Sequence, residues 1–424
     1  MSKLDELIKE YCPNGVEYRK LCEVSDMQRG TSLTKAKAVE GDIPVISGGK
    51  EPAFYCNCSN RDGETITVAG SGAGAGYVQY WNIPIFANDC FTVKGSEFTE
   101  TKYLYYFMTS IQDKISDAKK GGGVPHVHIS DVENFSLPVP PLEVQREIVH
   151  ILDPFTLLTA ELTTELTARK RQYEHYRDKL LMVDKNYRHG KILDMLKQPI
   201  TDGPHTTPKF VENGIPFLSA ESVFDGKIHF KKRRGNITPE FNEECCKKYK
   251  PLKHDVFMVK SGSTTGKVGY VDTDERFNIW SPIAAMRVND NNSSRYLFHL
   301  LQSQIVQKQV AAKSSHGSQP NLSMRALEQF EVIIPPLEVQ LRIVNVLDNF
   351  DAICTDLNIG LPAEIEARQK QYEYYRDLLL TFAETGSTLL TDRQTDRQTD
   401  RQTDRQTDRR RITPYFRIII RRKM

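Results

Sequence analysis

The residues that could do chemistry are two glycine-rich loops, a histidine pair and a basic run. Gly70-Ser71-Gly72-Ala73-Gly74-Ala75-Gly76 suggests a dinucleotide loop, but it misses the GxGxxG register in every frame and lacks a strand–helix–strand context. Gly262-Ser263-Thr264-Thr265-Gly266-Lys267 hints at a phosphate-binding loop. One residue is missing between its glycines, and Val268 stands where Ser or Thr must meet magnesium. His126-Val127-His128 has ligand-like alternation, and no third metal ligand accompanies it. There is no Asn-Pro-Pro or Asp-Pro-Pro run for amino-group methylation, and no Pro-Asp dipeptide to open a nuclease motif. The chain is therefore expected to hold no catalytic residue and no metal.

These residues are better suited to contacting a polyanion. Lys119 and Lys120 share a loop with a glycine triplet, His126 and His128. The corresponding loop of the second half holds Lys313, Ser314, Ser315, His316, Gln319 and Asn321. Asn and Gln can read adenine, and His can donate to bases or phosphates. Lys260 and Lys267 flank the second glycine loop, where phosphate contacts in a turn near a nucleic acid and a plain solvated turn both fit. Lys231-Lys232-Arg233-Arg234 is the densest basic run before the tail; a solvated loop and phosphate neutralisation both fit it.

Charge distribution agrees with a localised basic surface. The 424 residues carry a formal net charge of +2, but the last 34, from Thr391, hold an excess of +6, leaving −4 for residues 1–390. A DNA binder with a mildly acidic body must concentrate positive charge on particular faces. The eight cysteines form no CxxC pair, so free thiols in a reducing compartment are expected. The opening MSKLDELIKEY lacks the apolar core of a signal peptide, and no apolar run approaches the roughly 20 residues that span a bilayer. A cytoplasmic protein with no membrane partner is expected.

The elements that must position these loops are written twice. PPLEVQREIVHILD at 140–153 matches PPLEVQLRIVNVLD at 335–348, and ARKRQYEHYRDKLL at 168–181 matches ARQKQYEYYRDLLL at 367–380. The offset rises from 195 to 199, which predicts an insertion of about one helical turn in the second copy. Apolar stripes at Leu158, Leu162, Leu166, Tyr173, Tyr176 and Leu180, and at Ile343, Leu347, Phe350, Leu357, Leu361, Ile365, Tyr372, Tyr375 and Leu379, predict long helices. The pairs Pro140–Pro141 and Pro335–Pro336 mark their starts; Pro154 and Pro362 predict kinks or breaks. Two such stripes would most simply bury each other as a coiled coil.

The stretches before each helical segment read as mixed, β-rich globes. Ile43–Ser47 resembles Ile215–Ser219, Thr67–Gly72 resembles Met258–Ser263, and Tyr103-Leu104 and Tyr296-Leu297 each open a short helix. The expected class is α+β: globes at 1–139 and 184–334, helical spacers at 140–183 and 335–384, and a low-complexity tail at 385–424.

The alternation over residues 1–384 resembles the specificity subunits of type I restriction-modification systems. The resemblance rests on the paired PPLEVQ and QYExYRDxLL segments, on Thr159-Ala160-Glu161-Leu162 followed by Thr163-Thr164-Glu165-Leu166, which looks like the family's tetrapeptide helical spacer, and on Asp202-Gly203-Pro204-His205-Thr206-Thr207-Pro208. It implies two target-recognition domains, each reading half of a split DNA site, held apart by two antiparallel helices. It further implies two methyltransferase subunits docked on the helices, with Tyr173, Tyr176, Tyr372 and Tyr375 as helix-pair core or partner-facing residues. Those partners would methylate adenine N6 with S-adenosylmethionine, and restriction subunits would add ATP- and Mg-dependent cleavage. Two other classes stay open: a self-contained restriction-methylation enzyme, which the absent motifs disfavour, and a coiled-coil scaffold without a DNA role.

The tail repeats Thr-Asp-Arg-Gln four times over 391–406. Such low-complexity charge predicts disorder. Codons ACA-GAC-AGA-CAG would encode the period as three copies of a tetranucleotide, whose loss or gain shifts the reading frame. The ending from Arg410 would then be one of several; the plainer alternative is a basic tail that aids DNA affinity.

Overall fold

The computed structural model describes residues 2–120, 123–182, 187–315, 320–356 and 359–385. The chain divides into two units, 1–160 with 367–424, and 161–366. Each helical segment therefore starts in one unit and finishes in the other.

The first unit is built on a four-stranded antiparallel sheet in the order Ser25–Arg29, Cys90–Gly95, Thr65–Ala69, Val78–Trp81. The central Thr65–Ala69 strand is rich in β-branched residues and buried along its whole length, as a strand between two neighbours should be. A second sheet pairs Ile43–Ile46 antiparallel to Phe54–Cys56 and parallel to Phe86–Ala87. Helix Thr101–Ser110 lays Tyr103, Leu104, Phe107 and Met108 into the same core.

The second unit repeats this plan. Its sheet runs Thr201–Asp202, Ile283–Met286, Val256–Val259, Val268–Tyr270. Ile215–Leu218 pairs antiparallel to Gly235–Ile237 and parallel to Asn278–Ile279. Helix Ser294–Gln302 takes the place of Thr101–Ser110. Two additions distinguish it: the hairpin Val223–Phe224 with Lys227–Ile228, and helix Pro239–Lys248, capped by Thr238 with proline in its first turn. The structure is the mixed α+β class expected, with related helices and diverged globes.

Leu142–Leu181 is a continuous helix of 40 residues, and Pro154 does not break it. An interior proline costs about 3 kcal/mol. Side chains buried on both sides of it, Leu152 before and Leu162 and Tyr173 after, at roughly 1.5–3 kcal/mol each, outweigh that. The second segment does break, into Leu337–Thr355 and Leu361–Leu380, with Pro362 in the first turn of the new helix. The break lies where the repeat offset changes. The break expected at Pro362 is thus present, next to the inserted residues. Gly360 is required there, since a Cβ would come within 2.6 Å of the Asp356 carbonyl oxygen. Among the described residues no helix is long and apolar enough to cross a membrane.

Candidate nucleic-acid interface

The first glycine loop is a tight connection between buried strands. Gly72 and Gly76 both have φ of +81°, a region that penalises any side chain. The Gly76 amide closes the loop on the Ala69 carbonyl at 2.8 Å. A Cβ at Gly74 would lie 2.4 Å from the Gly48 carbonyl oxygen, so close backbone packing demands this glycine. The loop carrying the basic residues is laid against it. The Gly72 amide donates to the Pro125 carbonyl and the Val127 amide to that of Gly70, both at 3.0 Å. Lys120 and His126 exchange two backbone hydrogen bonds of 2.9 Å. Lys119, Lys120, His126 and His128 are thereby brought together and exposed. Lys120 is also ion-paired to the buried carboxylate of Asp131, which holds that acid below its usual range. Arg29, which sequence reasoning missed, joins them at the end of its strand, with Nη2 3.3 Å from His128 Nδ1.

The second unit builds the same device. Gly262 and Gly266 have φ of +100° and +94°. The Gly262 amide donates to the Pro320 carbonyl at 2.9 Å and the Leu322 amide to that of Lys260 at 2.7 Å. Gln112 and Gln307 donate to Gly76 and Gly266 carbonyls in the two units. Ser71-Gly72 therefore matches Ser261-Gly262, one residue away from the register expected from sequence. The positive-φ glycines, not the flanking apolar residues, pin the alignment.

Lys267, Lys313 and Asn321 are exposed around this loop, while His316 and Gln319 lie outside the described residues. Lys260 is turned inward toward an acid. Its side chain is 12% exposed and lies 3.3 Å from the buried carboxylate of Asp202. Lys248 and His205 also face that carboxylate. The Asp-Gly-Pro motif is thus structural. Gly203 passes so close to Ile279 that a Cβ would sit 1.8 Å from its carbonyl oxygen.

Lys231, Lys232, Arg233 and Arg234 are all exposed, as either reading of the run requires. They belong to the rim of the three-stranded sheet, where the Arg234 amide donates to the Phe217 carbonyl at 2.9 Å. Lys232 lies over the Phe224 ring at 4.3 Å, and Arg234 is 3.7 Å from Glu221. Among the described residues no group of three His, Cys, Asp or Glu side chains is placed to hold a metal, and all eight cysteines are free.

The paired helical motifs turn out to be anchors. Gln145 and Gln340, the last residues of PPLEVQ, are fully buried. Gln145 accepts from the Glu100 amide and donates to the Phe98 and Pro140 carbonyls. Gln340 accepts from the Ser293 amide and donates to Asn292 and the Pro335 carbonyl. Each glutamine ties the start of a helical segment to the globe before it. Asp153 receives Lys102 and the Tyr106 hydroxyl, and Asp348 receives Arg295 and His299, further along each segment.

The QYExYRD motifs close the other ends. In the first unit the Tyr372 ring lies 6.1 Å from Tyr106, and Tyr375 lies 5.3 Å from Phe155. In the second, the Tyr173 hydroxyl is 2.9 Å from His299 Nδ1, and Tyr176 stacks on Phe350 at 5.6 Å. Tyr173, Tyr372 and Tyr375 are buried and Tyr176 is half-buried. Of the two readings, core or partner-facing, the three buried tyrosines fit the first, packing the helices onto the globes. Tyr374, Leu157 and Leu341 are exposed apolar side chains of the helical segments.

Residues 13–169 and 201–367 each match the type I restriction modification DNA specificity domain. A type I restriction enzyme specificity subunit of Escherichia coli is 31% identical over 408 residues, spanning 90% of this chain and 98% of that one. A putative type I restriction enzyme specificity subunit of Haemophilus influenzae is 30% identical over 394 residues, spanning 87% and 96%. The fold resembles that of the type I restriction-modification S subunit from M. genitalium, with a TM-score of 0.53 at 16% identity over 87% of this chain and 96% of that one.

Proposed function

This chain belongs to the family of type I restriction-modification DNA specificity subunits, and from that premise we propose how its two units divide the task. It is the sequence-recognising, non-catalytic member of such a system. Each unit reads one half of a bipartite site in double-stranded DNA, using its glycine loop and the loop laid against it. The observation carrying this reading is the repeated scaffold with different exposed groups: Lys119, Lys120, His126 and His128 in one unit, Lys267, Lys313 and Asn321 in the other. A common backbone with exchanged side chains suits two half-sites of different sequence. The enzyme and scaffold alternatives lack such support.

The helices serve as the docking rail for two methyltransferase subunits. Exposed Leu157, Leu341 and Tyr374 offer apolar contact for them. Those partners supply S-adenosylmethionine and methylate adenine N6. Restriction subunits, with ATP and Mg, add cleavage. Methylome sequencing of cells with and without the gene tests the proposal. One split adenine-methylated motif should vanish with the gene; loss of a continuous motif, or of none, would count against it.

A further inference from the structure

We infer that Arg29 and His128 form a preset reading pair in the first unit. Arg29 orients the ring, and His128 presents a hydrogen-bond donor to a base edge of one half-site. The inference rests on the DNA-reading function and names a residue pair that carries it.

The backbone under both residues is pinned. Arg29 ends the edge strand Ser25–Arg29, and its carbonyl accepts from Arg61 at 2.9 Å. Gly30 comes next, in a space so tight that a Cβ would sit 2.2 Å from the Asn88 carbonyl oxygen. On the other side, Val127 is buried and bonded to Gly70. The His128 amide donates to Asp131 Oδ2 at 2.9 Å, and Lys120 holds the same carboxylate. His128 therefore cannot drift, and its ring lies parallel to that of His126, tilted by 11° with centroids 6.0 Å apart.

The contact with Arg29 also sets the proton. A guanidinium can only donate, so Nδ1 of His128, 3.3 Å away, must accept. The ring proton then sits on Nε2, as the donor of an exposed side chain. Guanine N7 and O6, adenine N7 and thymine O4 are the acceptors a major groove offers to such a donor. A side chain with its tautomer and orientation fixed in advance loses little freedom on binding.

The second unit lacks this pair at the same points. Arg29 stands opposite Phe91, and Asp202 stands opposite Ala284, in corresponding strands. His128 and Ser323 each precede the short helix that comes after the basic loop. Asp202 is buried against lysines, and the Ser323 hydroxyl accepts from the Ala326 amide at 3.1 Å. One scaffold thus holds an exposed donor pair in one unit and a buried, ion-paired acid with an internally bonded serine in the other, which is the divergence that reading two different half-sites requires.

The test uses the full-length chain co-expressed with its methyltransferase partner, with the methylated motif read by sequencing. His128→Ser installs the second unit's residue and keeps a good helix cap, so folding should survive. One half-site should stay unchanged, while a single base pair of the other becomes degenerate, its discrimination falling roughly 2- to 13-fold, as for one hydrogen bond. Arg29→Ala should give the same degeneracy more weakly, and Arg29→Lys, which can still donate to Nδ1, should restore part of it. Should methylation disappear, the affinities of the folded variant for duplexes each altered at one base pair yield the same ratio. Unchanged discrimination in His128→Ser, or equal weakening on every sequence, overturns the inference. A wild-type chain that directs no split motif sinks the DNA-reading function itself.

Discussion

His299 should make one junction of the second unit sensitive to acid. The ring is fully buried, with Nε2 2.7 Å from Asp348 Oδ1 and Nδ1 2.9 Å from the Tyr173 hydroxyl. A neutral imidazole satisfies both partners, since Nε2–H donates to the carboxylate and Nδ1 accepts from the phenol. Burial holds the group below the ordinary histidine range, and the charge of nearby Arg295 acts in the same direction. Asp348 and Asp351 pull the other way, but both already face Arg295, at 2.6 and 3.3 Å. With the folded value depressed, the unfolded chain takes the proton first as pH falls. The stabilisation is complete above the ordinary value near 6.5 and is lost as pH drops below it toward the folded value. Each pH unit inside that window removes about 1.4 kcal/mol. Going from about pH 7.5 to about pH 5.5 should therefore cost stability, at no more than that slope. Trp81→Phe leaves Trp280 as the sole tryptophan, and its fluorescence in urea titrations reports the second unit. Other groups also titrate, so the decisive comparison is with His299→Gln, whose amide can accept from Tyr173 and donate to Asp348 without ionising. The variant should lose measurably less stability than the parent over that range. Equal losses in both would refute the reasoning.

Three further outcomes are expected. Deleting Thr163-Thr164-Glu165-Leu166 removes about 6 Å of helix and turns the remainder of the helix by about 40°. It should preserve both half-sites and shorten the unread spacer by one base pair of about 3.4 Å, read from the methylated motif; an unchanged spacer would show that the helix is not the ruler. Replacing Lys231, Lys232, Arg233 and Arg234 with Ala should flatten the slope of log affinity against log salt by roughly 0.9 for each phosphate no longer neutralised, and an unaltered slope would place the run away from DNA. Sequencing the gene from many single colonies should reveal different numbers of tetranucleotide units at the Thr-Asp-Arg-Gln repeat, which lies outside the described residues; a uniform count ends the slippage hypothesis.

The amino-acid order alone determined what is local or repeated. The duplicated PPLEVQ and QYExYRD segments announced two helical segments after two globes, because helix periodicity and proline starts are written in adjacent residues. Pro362 marked a real break, whereas Pro154 did not, because side chains buried on both sides of it, Leu152 before and Leu162 and Tyr173 after, hold the helix through. What joins distant parts of the chain was illegible. Lys260 looks like a free cation beside a glycine loop, and only the fold brings it to Asp202, buried far upstream in sequence. Arg29 carries no local signal at all, and its partner His128 arrives from another element 99 residues away. The tyrosines showed a stripe, but a stripe does not say what covers it; Tyr173 meets His299 and Tyr372 meets Tyr106 because each helical segment finishes in the unit other than the one it left. Periodicity records which face is buried, while the identity of the partner across that face is set by long-range closure of the chain, which no neighbouring residue encodes.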